Sequence, residues 1–189
     1  MSSSARIGLY GGTFDPIHNG HLHLVVQLLE RGLVDELILI PAGQPWLRAS
    51  APVASAQDRL AMVQLAVKDL PAQIQSRVTV SDIEVKRSGP TYTIDTVEQL
   101  QQLRPDATWV LILGSDASKG IGQWHRSDEL QSLVEVLVIA RDGEGLDIDA
   151  LPISATQLRA SLQVNSKEQS KLPESVWTYI KEQNLYASK

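Results

Sequence analysis

At 189 residues, with 43% hydrophobic and 21% charged residues, the chain is long enough for one domain with a sizeable core, and its composition argues against bulk disorder. It has no cysteine, which excludes disulfides, thiolate metal sites and a cysteine nucleophile. A net charge of −5 argues against broad nucleic-acid binding, yet local amides and a few cations can still hold a small anion.

The opening residues MSSSAR lack the apolar stretch of a signal peptide, and no apolar run approaches the roughly 20 residues that span a bilayer. A cytoplasmic protein without a membrane partner is expected. Short apolar, β-branched runs then read as strands at Ile7–Tyr10, Glu36–Ile40, Val78–Val85, Trp109–Leu113 and Val134–Ala140. After the first, Leu22, Val25, Val26 and Leu29 share a helical face, and Gly32 supplies a stop. After the second, Leu60, Val63, Val67 and Leu70 repeat that spacing. Asp95 and Glu98 read as a capping-box variant ahead of Val97, Leu100 and Leu103. Strands alternating with helices predict a doubly wound, Rossmann-like parallel α/β core over residues 5–140. An acidic, glycine-containing stretch from Arg141 to Pro152 reads as a surface loop. A small helical part over 152–186 follows, with Leu158 and Leu162 on one stripe and Pro173 ahead of Val176, Trp177 and Ile180. Residues 1–189 therefore read as a single domain.

In such a sheet, ligands bind beyond the carboxyl ends of the strands. That rule gathers Gly11–His21, Pro41–Arg48, Gly114–Trp124 and the residues after Ala140 around one crevice. In the first stretch, Gly11 and Gly12 allow a ligand close to the backbone, and the helix start near Asn19 and Gly20 presents unpaired N–H groups. His18 and His21 add side-chain donors there; spacing alone leaves metal, phosphate and packing open. His23 points away from His21 on a helix, and no Cys or suitably spaced carboxylate completes a metal set. In Ile153–Arg159, Ser154 or Thr156 can cap a helix over which Arg159 folds back, a clamp for a second phosphate. Taken alone, the stretch reads better as an ordinary capped surface helix with a solvated Arg. Ser88–Thr96 is a turn leading into a hydroxyl-rich helix start, with an aromatic ring at Tyr92. Gly114 and Asp116 follow a buried strand, where such residues contact ribose hydroxyls, and Trp124 can stack on a planar ring or fill the core.

Taken together, GGTFDPIHNGHL, PAGQPWLR, RSGPTYTIDT, LGSDA with Trp124, and ISATQLR resemble the bacterial nicotinate-nucleotide adenylyltransferases of the HxGH nucleotidyltransferase superfamily. The likeness runs from Ile7 to Tyr186. It implies transfer of the adenylyl group of ATP to nicotinic acid mononucleotide, a step of NAD biosynthesis, with Mg²⁺ carried on the triphosphate and no covalent intermediate. Protein groups then position reactants and stabilise charge rather than make bonds. By the resemblance, His18, His21 and Arg159 are catalytic. ATP is held by Gly11, Gly12, Thr13, Phe14, His18, His21, Gly114, Asp116, Ser154, Thr156 and Arg159. Arg48, Thr91, Tyr92, Thr93, Trp124 and His125 face the mononucleotide, with Trp124 stacking on its ring and backbone amides receiving its carboxylate. No protein metal ligand is implied, the substrates are the only partners expected, and oligomeric state is left open. Trp46 stands where many relatives have histidine, Ala155 replaces a common serine, and the 141–152 linker is short.

Three rivals accompany this reading. Pantetheine-phosphate adenylyltransferases share a TFDP turn, but generally carry Thr at the position of His18 and lack GPTYTIDT. Nicotinamide mononucleotide is a closer alternative as substrate. A non-catalytic nucleotide-binding module is a third, against which donors at both ends of a triphosphate speak.

Overall fold

The computed structural model describes residues 4–45, 50–140, 145–163 and 167–187. Five strands, β1 (Arg6–Gly12), β2 (Glu36–Pro41), β3 (Val78–Val80), β4 (Thr108–Gly114) and β5 (Glu135–Ile139), lie parallel in the order β3-β2-β1-β4-β5. The connections carry α1 (Asn19–Glu30), α2 (Ala56–Lys68), α3 (Ala72–Gln75), α4 (Thr93–Leu103), α5 (Ser115–Lys119) and α6 (Ser127–Leu133); α7 (Ala155–Gln163) and α8 (Glu174–Glu182) follow.

Side-chain alternation along buried strands divides the core into two layers. Val110 and Ile112 of β4 join Leu37 and Leu39 of β2 beneath α1, α2 and α8. Trp109, Leu111 and Leu113 point the other way, joining Ile7, Leu9 and Ile40 against Ile94, Val97 and Leu100 of α4 and Leu130 of α6. Helices thus cover both faces of the sheet, as the alternation of elements predicts. The chain's last part shares the first layer, through Leu158, Val176, Ile180 and Tyr186.

Three local expectations need correction. The strand predicted over Val78–Val85 ends at Val80, because β3 is an edge strand paired only through Leu37–Leu39. The chain then turns, with Lys86 N–H on the Asp82 carbonyl and Arg87 N–H on that of Glu84, which frees Glu84 to face inward. Asp95 and Glu98 form no capping box: α4 starts at Thr93, and Arg126 draws Glu98 into an ion pair at 2.7 Å. On α1 the fully buried stripe is Leu24, Val25, Leu28 and Leu29, while Leu22 and Val26 pack at its margin. Of the acidic loop, the described part runs back beside β5, where Leu146 N–H donates to the Val138 carbonyl.

Candidate active site

Strand order reverses at β1, so β2 and β4 leave it in opposite directions and open a crevice at their carboxyl ends. A cavity of about 990 Å³ occupies that crevice. Of the sequence-predicted residues, Gly11, Gly12, Thr13, Phe14, His18, His21, Thr91, Tyr92, Thr93, Gly114, Asp116, Trp124, His125 and Ser154 all line it. A smaller recess of about 270 Å³ shares Thr13, Phe14, His18, His21 and Ser154 and adds Thr156 and Arg159. Arg48 and Trp46 lie outside the described residues.

One end of the cavity is built from the β1–α1 turn. His18 occupies the N-cap position of α1 and His21 its first turn, and their rings stack at 3.7 Å with 21° between planes. The His18 backbone N–H donates to His21 Nδ1 at 3.2 Å. With Nδ1 accepting, a neutral His21 carries its proton on Nε2, making that nitrogen a donor. Phe14 supports the ring from below, edge to face at 5.1 Å, and is itself buried. A Cβ on Gly12 would meet the Phe14 ring at 2.8 Å, so only glycine lets this aromatic seat sit so close to the strand end. The phenyl therefore serves as a support for His21 as well as cavity lining. His23 faces elsewhere, its Nε2 lying 3.1 Å from the Ile148 carbonyl.

Arg159 reaches the same place from α7. Its Nη1 donates to the Asp15 carbonyl at 2.6 Å and lies 3.8 Å from the Asp15 carboxylate, while Nη2 donates to Thr156 Oγ1 at 3.3 Å. Ser154 immediately precedes the helix, its carbonyl accepting from Leu158 N–H. Hydroxyls, helix N–H groups and a guanidinium converge here, a donor set suited to phosphate oxygens. Among the described residues no three His, Asp or Glu side chains gather as a metal centre.

The opposite end is aromatic. Tyr92 and His125 rings lie 4.3 Å apart, and half-buried Trp124 packs against the second core layer while facing the cavity. Thr91 is buried, with its N–H and hydroxyl both 3.5 Å from the Gln44 carbonyl. Its hydroxyl is thus directed into the wall, and Tyr92 and Thr93 are more exposed to the cavity.

Four residues of the site escaped the sequence reading. Asp15, 2% exposed, accepts hydrogen bonds from Val53 N–H, Ala54 N–H and the Tyr186 hydroxyl. Burial first, and then the Asp15 charge, pushes the Tyr186 hydroxyl well above its ordinary range. Arg59, 1% exposed, donates to the carbonyls of Thr13, Gly43 and Ala54, lacing the phosphate turn to the loop after β2. It sits one turn before Val63 on the apolar stripe of α2, an anomalous place for a cation and a signal that could have found it. Glu84 is the fourth.

The fold and this site define an α/β domain of the nucleotide-binding type, with a donor-rich turn of a kind suited to anions at the topological switch point. The chain belongs to the cytidylyltransferase-like family, whose pattern matches residues 9–182, and within it to the nicotinate-nucleotide adenylyltransferases. A relative from Synechococcus sp. (strain JA-3-3Ab), named "Probable nicotinate-nucleotide adenylyltransferase", is 36% identical over 96% of this chain and 94% of its own. One of the same name from Dehalococcoides mccartyi (strain CBDB1) is 38% identical over 98% and 99%. In fold, the chain resembles Plasmodium falciparum nicotinic acid mononucleotide adenylyltransferase complexed with NaAD, with a TM-score of 0.80, 22% identity, and coverage of 96% and 97%.

Proposed function

We propose that this protein transfers the adenylyl group of ATP, carried with its Mg²⁺, to nicotinic acid mononucleotide, forming nicotinic acid adenine dinucleotide and releasing pyrophosphate. The observation that carries the reading is the continuity of one cavity between two unlike ends. One end holds His18, His21 and Ser154, which also line the adjoining recess of Thr156 and Arg159; the other offers Tyr92, Thr93 and Trp124. The names of its relatives agree with that reading.

A phosphate oxygen of the mononucleotide attacks the α-phosphorus of ATP, and the bond to the β-phosphate breaks in line as pyrophosphate leaves. No protein nucleophile enters, so the chain's work is alignment and charge stabilisation. The open backbone at Gly11, with the Gly12 backbone and Thr13, lets the triphosphate approach the strand end. His18 and His21 take the phosphates, and His21 Nε2–H stabilises charge as it develops. Thr156, Ser154 and Arg159 hold the departing pyrophosphate. Gly114 and Asp116 face the adenosine ribose. Trp124 stacks on the pyridine ring, with Tyr92 and His125 at its side, and backbone amides near Thr91–Thr93 take its carboxylate. Arg48 supplies a further cation to the mononucleotide phosphate. Mg²⁺ is held by the substrate's own oxygens.

The test is pyrophosphate release from ATP and Mg²⁺ with nicotinic acid mononucleotide or nicotinamide mononucleotide offered side by side. Release with the acid form faster than with the amide is expected. Faster release with the amide would reassign the substrate, and nucleotide binding without release would make the protein a binding module.

A further inference from the structure

Among the described residues, Asp15 and Glu84 are the acidic side chains the fold buries. Asp15 belongs to the phosphate turn. Glu84 lies at the other end of the cavity, in the turn after β3, and lines its wall. A carboxylate out of water is costly unless donors meet it, and here they come from two separate segments. Thr96 Oγ1, in α4, donates to Glu84 Oε1 at 3.0 Å. Thr91 and Gly43 also favour the charged form of Glu84, offsetting part of the burial that pushes its carboxyl up. Arg87 Nη1 donates to Thr96 Oγ1 at 3.1 Å, so the Thr96 proton is free for an acceptor, and Glu84 Oε1 at 3.0 Å is nearer than the Tyr92 carbonyl at 3.5 Å.

The two segments so joined are the two walls of the pyridine end. Gly43 belongs to the loop after β2, which continues through Gln44 and Pro45; Thr91 and Thr96 flank Tyr92 and Thr93. They touch closely: a Cβ on Gly43 would lie 2.1 Å from the Glu84 carbonyl oxygen and 3.1 Å from Thr91 Cγ2. The Thr91 N–H lies 3.5 Å from the Gln44 carbonyl, so without the carboxylate this long bond and the packing at Gly43 would link the walls. Backbone amides bind a carboxylate well only when their directions are held, and small displacements lose much of the gain.

We propose that Glu84 is a positioning residue that sets the preference for a carboxylate over a carboxamide on the pyridine ring, by pinning the Thr91–Thr93 backbone against the Gly43–Pro45 wall. This rests on the adenylyl-transfer reading above. Glu84 does not touch the reacting atoms; it acts through the direction of N–H groups at the end of the cavity opposite His18 and His21.

The experiment compares wild type, Glu84→Gln and Thr96→Val by steady-state kinetics with both mononucleotides at saturating ATP, and by ATP titration at saturating mononucleotide. Glu84→Gln is expected to raise KM for nicotinic acid mononucleotide about tenfold, the scale of one well-placed hydrogen bond. The KM for ATP and kcat should stay within about twofold, and the acid-over-amide preference should shrink. Thr96→Val, which removes a donor and leaves the charge, should move the same ratio in the same direction. Unchanged selectivity in both variants, or an equal loss toward both mononucleotides and ATP, would overturn the proposal. If Glu84→Gln fails to fold, Thr96→Val decides alone. An inactive wild type would instead overturn the adenylyl-transfer reading, so the two failures are distinct.

Discussion

The hydroxyl of Tyr186 donates to Asp15 Oδ1 at 2.7 Å, across 171 positions of sequence. Asp15 is in the turn that presents His18 and His21, and Tyr186 lies four residues beyond the end of α8. The same carboxylate receives Val53 and Ala54 N–H and sits beside the Arg159 guanidinium. A single buried anion therefore ties the phosphate turn to the loop after β2, to α7 and to the residues after α8. Its hydrogen bonds offset the desolvation that would otherwise make it unfavourable.

Tyr186→Phe removes one donor to this charge and keeps the ring in the core. A loss of about 1.5–3 kcal/mol in unfolding free energy is expected, the scale for a hydrogen bond to an ionised group. The folded protein holds the Tyr186 proton above its ordinary value of 10.0, so above about that pH the unfolded chain binds fewer protons than the folded one. Stability from this group is full below pH 10 and is lost as pH rises beyond it. Chemical denaturation should therefore show wild type and Tyr186→Phe converging above pH 10. A constant difference across that range would contradict the buried, neutral hydroxyl.

His21→Ala should lower kcat by about 10²–10³, the effect of deleting one donor to charge that develops in the transition state. The Nδ1 acceptor role adds a second consequence, since the His18 N–H loses its partner and the α1 start loosens. His21→Asn retains a side-chain amide and should recover part of the rate if donation matters most. Near-normal turnover in folded His21→Ala would remove the residue from the mechanism.

The alternation of strands and helices, and the blocks after β1 and before α7, were legible because they are contiguous and periodic. The wide gathering of those blocks followed from one rule about parallel sheets. What escaped was carried by partners far apart. Asp15 stood inside a quoted motif but had no assigned role, because Val53, Ala54 and Tyr186 leave no periodic trace that points back to it. Glu84 was hidden in the run Val78–Val85, whose β-branched residues hold in the sheet only as far as β2 offers a partner. Asp95 and Glu98 matched a capping pattern, yet Arg126, 28 positions beyond Glu98, claimed that side chain. Local chemistry was readable; competition from distant charges was not.

Trp124→Ala should weaken nicotinic acid mononucleotide binding by roughly 5–150-fold, the range for losing about 1–3 kcal/mol of ring stacking. ATP binding should be nearly unchanged, since the phosphate donors lie at the far end of the cavity. Calorimetric titration of each substrate separates the two. Equal weakening toward both would mean that the indole acts through its packing against the second core layer and not by stacking.

Glu84→Gln also has a stability signature distinct from its kinetic one. Burial, partly countered by the Thr96 and Thr91 hydroxyls and the Arg87 charge, raises the Glu84 carboxyl above its ordinary value of 4.5. Between that value and the folded one, the native state binds more protons than the unfolded chain, so stability falls as pH rises. The contribution is full below about pH 4.5 and is lost through the higher folded value. Glutamine does not titrate, so the Tm of Glu84→Gln relative to wild type should rise between pH 4 and pH 7. A difference that stays flat would mean that Glu84 ionises as easily folded as unfolded, and would remove the buried-anion premise from the pinning of the two walls. A rising difference with poorer selectivity at pH 7 would mark a charge held at a cost in stability for the sake of alignment.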